Sequence, residues 1–316
     1  MTTRSQTLFA SGQLQQRADQ AHALLNRCTL CPRKCTVNRL KGEHGLCKTG
    51  EKALVASYGP HFGEEQPLVG SKGSGTIFFA GCSLLCCFCQ NFDISHTTDG
   101  SQAVDDQALA AIMIELQNRG CHNINLVTPS HVVPQILAAL VHASANGLQI
   151  PIVYNCSGYD SVETLALLDG VIDIYMPDFK FWEIATSNRW AKAPDYPQRA
   201  RESLRSMHQQ VGDLQINDQG LATSGLLVRH LLMPGKEQET EEILAFIANQ
   251  ISRNTYVNIM DQYHPCGDTT HFPELQHTIT TKHYHQALAA AHALGLHRLD
   301  QRDLSDLLRN LIFQQK

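Results

Sequence analysis

The chain has 316 residues, a formal net charge of −5, and 43% hydrophobic against 17% charged residues, enough apolar material for one sizeable core. No run of lysine and arginine stands out, which argues against a nucleic-acid or membrane-surface partner, since either needs a concentrated basic patch. No apolar stretch approaches the ~20 residues that span a bilayer, and the polar start Met1-Thr2-Thr3-Arg4 lacks the apolar region of a secretion signal.

The predicted elements begin with a helix from about Ser11 to Arg27, which carries Leu14, Ala18, Ala21, Leu24 and Leu25 on one face. A cysteine-rich knot follows, Cys28-Thr29-Leu30-Cys31-Pro32-Arg33-Lys34-Cys35, closed by Gly45-Leu46-Cys47. Residues 51–75 are rich in glycine and turns and read as connection and lid rather than core. From Thr76 the pattern alternates. Apolar, β-branched or aromatic runs at Thr76–Ala80, Asn123–Thr128, Ile150–Asn155, Val171–Met176, Leu226–Met233 and Thr255–Met260 read as strands. Helical periodicity falls between and after them, as in Leu109, Ile112, Met113 and Leu116, and in Tyr284, Ala287, Leu288 and Ala291. Near-continuous apolar strands joined by helices imply parallel strands buried on both faces. The expectation is an α/β fold, a partial (β/α)6 barrel over 72–316, preceded by a cysteine-rich extension and lead-in over 1–71. Ligands should lie at the C-terminal ends of the strands.

Eleven cysteines at metal-ligand spacings, without a secretion signal, point to a reducing cytoplasm and to metal or cluster ligation rather than disulfides. Cys82, Cys86 and Cys89 follow the first strand of the alternating region with the spacing C-x3-C-x2-C. Three thiolates on one loop suit three irons of a [4Fe–4S] cluster and leave the fourth open, whereas an electron-carrying cluster takes four cysteines. A zinc knot would need a fourth ligand, and none lies nearby in the sequence. Cys87 sits one residue from Cys89, a gap too short for two thiolates to address different irons, so it reads as a small buried apolar residue. The second set, Cys28, Cys31, Cys35 and Cys47, suits zinc or a second iron–sulfur cluster that pins the N-terminal region to the barrel.

The loop, with Phe88 just before its last cysteine and the flanking run Phe78-Phe79-Ala80-Gly81, resembles the radical S-adenosylmethionine superfamily. Within it the chain resembles the pyruvate formate-lyase-activating-enzyme-like branch, and most closely the PflX-like group. The shared segments are C-x2-C-P-R-x-C from Cys28, the Gly63-Glu64-Glu65 turn, N-x-x-x-V-T-P ending at Pro129, Val153-Tyr154-Asn155, Asp178-x-Lys180 and Val228-Arg229-His230, so the resemblance covers roughly residues 28–295. It implies an oxidoreductase-type enzyme that cleaves S-adenosylmethionine reductively at the open iron and abstracts a substrate hydrogen atom. The branch implies a glycyl-radical-enzyme activase; modification of a peptide, an RNA base or a cofactor precursor is the alternative. An electron donor such as flavodoxin or ferredoxin is implied as a partner. From a different class, an iron–sulfur electron-transfer or metal-sensing protein is a competing reading.

The same resemblance assigns cofactor contacts. Related enzymes have Gly-Gly-Glu on the second strand, where this chain has Val127-Thr128-Pro129-Ser130-His131; Thr128 and Ser130 are the candidates, and His131 is expected to face solvent. Asn155 stands in place of an acidic residue, beside Cys156, which reads as packing. Asp178 and Lys180 share a strand face and are candidates for the cofactor carboxylate. Arg229 and His230 point to opposite faces, and His230 is the candidate contact. Asn258 and Gln262 read as substrate or adenine contacts, or as polar strand ends. Glu64 and Glu65 read as solvated. Gly73-Ser74-Gly75-Thr76 lacks the ending of a phosphate loop. None of the sixteen histidines forms the pattern of a zinc hydrolase.

Overall fold

The computed structural model describes residues 3–300. Nine strands are present among them: β1 (Ala53–His61), β2 (Ser74–Phe79), β3 (Gln102–Val104), β4 (Ile124–Val127), β5 (Ile152–Cys156), β6 (Ile174–Pro177), β7 (Gln215–Ile216), β8 (Ala222–Leu231) and β9 (Tyr256–Met260). Six of them, β2, β4, β5, β6, β8 and β9, pair in chain order, each parallel to the next. The fold is therefore α/β with a mostly parallel central sheet.

The six parallel strands are those read from the apolar runs. Every residue of β5 and β6 is buried, because the sheet is covered on both faces. On one face Tyr154, Tyr175 and Val228 join the large core beneath the helices. On the other, Val153, Ile174, Met176 and Leu227 pack with Leu68 and Leu214. The connecting helices present their expected stripes. Asp105 caps the helix Asp106–Asn118 by accepting from Ala108 N, and Leu109, Ile112, Met113 and Leu116 are buried. Thr280 caps Thr281–Ala293 in the same way. Near the start, the helix expected over 11–27 is Gln13–Ala23, continued by a 3-10 turn over Leu24–Arg27, and a further helix, Arg4–Ala10, precedes it.

One expectation fails. Residues 51–75 are not mere connection: β1 runs antiparallel beside β2, and β3 antiparallel beside β1. Pro60 and Gly59 broke the alternation that would have signalled a strand. Pro60 is tolerated because β3 pairs only with Ala53–Val55, which leaves the other end of β1 as a sheet edge. Among the described residues no helix is long and apolar enough to cross a membrane.

Candidate functional site

All six parallel strands point their C-terminal ends at one cavity of about 390 Å³. Phe78 and Phe79 of β2, Thr128 just past β4, Asn155 and Cys156 of β5, Asp178 just past β6, Arg229 of β8 and Met260 of β9 line it. The loop after β2 forms its roof and brings Cys82, Cys86 and Cys89 into the lining; Cys87 is not among the lining residues. Between Cys82 and Cys86, Leu85 takes φ 56°, a conformation costing about 1–3 kcal/mol for a residue with a side chain.

The loop's own polar groups are aimed at sulfur. Leu84 N donates to Cys82 Sγ at 3.3 Å, and the Ser95 hydroxyl donates to Cys89 Sγ at 3.2 Å. Burial raises the pKa of the Cys82 and Cys86 thiols, and Lys180 works against that rise in both. Lys180 Nζ donates to Asp178 Oδ2 in a partly buried ion pair. Burial would lower the Lys180 pKa, but Asp178 and the nearby thiols raise it, so the ammonium stays charged. Buried Tyr196 fixes the ends of β5 and β6 around this pair. Its hydroxyl accepts from Lys180 N at 2.8 Å and donates to Ser157 O at 2.9 Å.

The neighbouring strand carries a second ionic group, for Arg229 of β8 stands beside Asp178. Arg229 Nε donates to Glu65 Oε1 at 2.7 Å and Nη2 to Glu65 Oε2 at 2.7 Å, while Nη2 also donates to Glu64. Asn258 Nδ2 donates to Glu65 Oε1 at 2.6 Å. The Glu65 side chain is 0% exposed, so the expectation of a solvated acid is overturned. Burial alone would raise its pKa, yet Arg229 and Asn258 hold it below the usual carboxylate range. Glu64 and Arg229 both line the cavity; Glu65 and Asn258 stand behind them.

The candidate contacts divide. Thr128, Asn155, Asp178 and Lys180 line the cavity with the three loop cysteines. Thr128 does so at φ 61°, an outlier for a β-branched residue. Ser130 is buried outside the lining, bonded to buried Asp160. His230 also lies outside it: Nδ1 bonds Phe179 O at 2.7 Å and Nε2 bonds Thr240 Oγ1 at 2.9 Å. The carbonyl can only accept, so Nδ1 carries the proton, and burial pushes the ring's pKa down to about 4. Strand alternation had separated Arg229 from His230, and the cavity side belongs to Arg229. His131 is not solvent-facing either. It is 1% exposed, with Nε2 bonded to Ala80 O at 3.0 Å.

The segment after β9 closes over the cysteine loop, which the sequence did not signal. Cys266 Sγ donates to Phe88 O at 3.2 Å, and Asp268 N to Cys87 O at 2.7 Å. Gly267 allows this approach at φ 65°, since a Cβ there would stand 2.4 Å from Cys87 O. Cys28, Cys31, Cys35 and Cys47 gather around a separate small cavity beside the loop. Among the described residues, no group of three or more histidines, cysteines or acids is spaced to hold a single metal ion.

No family model matches the chain. It is 30% identical over 289 residues to a protein of Methanocaldococcus jannaschii described as "Uncharacterized protein MJ0674", a match that covers 90% of this chain and 79% of the relative.

Proposed function

The chain belongs to the family of that archaeal protein, and we propose that it is a radical S-adenosylmethionine enzyme whose cavity at the strand ends holds a [4Fe–4S] cluster and the cofactor. The observation that carries this reading is the shared lining: Cys82, Cys86 and Cys89, and not Cys87, face one cavity together with polar groups from the parallel strands. Thiolates of a cluster bind different irons, so they stand farther apart than the ligands of one ion. Two details fit a charged cluster: the donors from Leu84 and Ser95 onto sulfur, and the cationic Lys180 beside the thiols. When bound, the group would supply a 5′-deoxyadenosyl radical by one-electron cleavage of the sulfonium.

The chain's residues then have separable tasks. The three cysteines hold the cluster. Lys180, oriented by Asp178 and Tyr196, offers a charged donor to a cofactor carboxylate. Thr128 and Asn155 offer polar groups to its amino-acid or ribose portion. Phe78, Phe79, Leu84 and Phe88 line the cavity and keep it dry, which protects a reactive intermediate. We read the six chain-ordered parallel strands as a partial (β/α)6 barrel that begins at residue 72, with the first cysteine knot in the region before it; residues 301–316 of the expected range lie outside the described residues. The setting would be a reducing cytoplasm with a small electron carrier such as flavodoxin or ferredoxin as donor. A protein glycine is the substrate class that the resemblance favours.

The test is anaerobic reconstitution of the full chain with iron and sulfide, reduction, and addition of S-adenosylmethionine. Formation of 5′-deoxyadenosine supports the reading; its absence across several reductants, with the cluster in place, sinks it.

A further inference from the structure

The knot of Cys28, Cys31, Cys35 and Cys47 is built into the wall behind the cluster loop. All four cysteines line one small cavity with Arg33, Arg39, Ser83 and His131. The backbone amides of Arg33 and Val37 donate to the sulfurs of Cys31 and Cys35, the same two-residue offset as Leu84 onto Cys82. Amides directed at sulfur suit thiolates.

Two buried polar atoms on this cavity have no partner among the described residues: Arg39 Nη2 and His131 Nδ1. Both side chains are 1% exposed. Arg39 is otherwise satisfied, Nε donating to Gly50 O at 2.8 Å and Nη1 to His131 O at 2.8 Å. His131 donates from Nε2 to Ala80 O, so Nδ1 presents a bare lone pair, the arrangement of a histidine poised beside a metal. An orphaned buried donor or acceptor costs about 1–3 kcal/mol, and one of each on a cavity lined by four thiols points to a bound centre.

Four cysteines closing a site with no open position suit a structural zinc ion, and little open space, about 10 Å³, is left between them. Four thiolates and a divalent ion leave two net negative charges, opposite which stand the two guanidinium groups of Arg33 and Arg39.

Arg33 links this centre to the loop. Nε donates to Ser83 O at 2.9 Å and Nη2 to Leu84 O at 3.2 Å, the two carbonyls that follow Cys82. Nη2 also donates to Ala191 O at 2.9 Å and Nη1 to Lys192 O, and the guanidinium lies over the Tyr159 ring. On the other side Gly81, φ 78°, meets Cys47, where a Cβ would stand 2.2 Å from the carbonyl oxygen. The loop is thus gripped just before and just after Cys82 by residues of the knot.

We propose that the knot binds one zinc ion through its cysteines and, through Arg33, acts as a clasp that holds the Cys82–Cys89 loop in its ligating shape. Among the described residues the thiols do not stand at single-ion spacing, so zinc binding would require them to close in. The zinc site stands independently of the radical reading, whereas its effect on loop iron rests on that reading. Arg33 is a positioning residue, since its guanidinium holds the backbone carbonyls of Ser83 and Leu84 and none of the loop thiols.

The experiment measures zinc, iron and sulfide in the full chain, with X-ray absorption at the zinc edge. The expected result is about one zinc per chain, with a first shell of four sulfurs, or of three with one nitrogen from His131. Cys31→Ser and Cys47→Ser lose it. Arg33→Ala keeps zinc, yet a chelator strips iron from the loop roughly tenfold faster. Arg33→Lys does not restore the wild-type rate, because an ammonium cannot fork across four carbonyls. Stripping zinc from the wild type accelerates iron loss to the same extent, and the two perturbations do not add. Iron–sulfur signals from the knot, no zinc in the wild-type chain, or iron loss indifferent to zinc would each overturn the clasp. These wild-type measurements hold even where a cysteine variant fails to fold. Zinc bound without iron or S-adenosylmethionine cleavage would sink the radical reading and leave the zinc site standing.

Discussion

The two cysteine sets lie side by side and use the same device, backbone amides turned onto sulfur, but their surroundings differ. Cys82, Cys86 and Cys89 open onto a cavity of about 390 Å³ beside two neighbouring ion-pair groups, Asp178–Lys180 and Glu64/Glu65–Arg229. Cys28, Cys31, Cys35 and Cys47 enclose about 10 Å³ with orphaned polar atoms on its lining. Three thiols beside a large polar cavity suit a centre that must meet another molecule. Four thiols around almost no space suit one that only holds the chain together. On the proposed reading, thiol count and enclosure together, more than cysteine spacing alone, separate a chemical centre from a structural one.

The sharpest way to break this contrast is Cys86→Ala. It should abolish cluster iron and cofactor cleavage while leaving zinc in the knot; loss of both metals together would mean the two sets form one centre. Next comes Arg229→Met, which leaves Glu65 buried and unpaired at the cavity wall. A loss of about 3–5 kcal/mol in denaturant unfolding is expected, with zinc content unchanged. A loss below about 1 kcal/mol would show that the wall relaxes and lets water reach Glu65.

A smaller effect comes from pH. His230 is held at about 4 in the fold against about 6.5 when unfolded. The unfolded chain therefore binds the extra proton first, and stability is fully present above pH 6.5 and declines as pH falls toward 4. This group alone should make the chain about 2 kcal/mol less stable at pH 5 than at pH 7. His230→Gln should remove that slope in urea titrations at the two pH values; an unchanged slope would assign it elsewhere. The smallest effect is expected of Cys87→Ala, which should keep its iron. Iron loss as deep as in Cys86→Ala would move the ligand set to Cys87.

What the sequence showed and what it hid follow from range. The six parallel strands were legible because burial on both faces leaves unbroken apolar runs such as Ile152–Cys156. The cysteine loop was legible because its three thiols are close in the chain. Strand β1 was hidden by Gly59 and Pro60, whose local signal is a turn. The Glu65–Arg229 pair was hidden because its partners are 164 residues apart, and no local pattern distinguishes a buried acid from a solvated one. Alternation placed Arg229 and His230 on opposite faces but not which face was the cavity. His131 looked like a helix-start surface residue. Its burial depends on Arg39, 92 residues earlier, which donates to its carbonyl.

The most direct test is the EPR spectrum of the reduced, reconstituted full chain before and after S-adenosylmethionine, with 5′-deoxyadenosine measured in the same sample. A [4Fe–4S] signal that changes on cofactor addition, followed by 5′-deoxyadenosine, is the expected result. A cluster whose signal ignores the cofactor and yields no 5′-deoxyadenosine would contradict the proposed function.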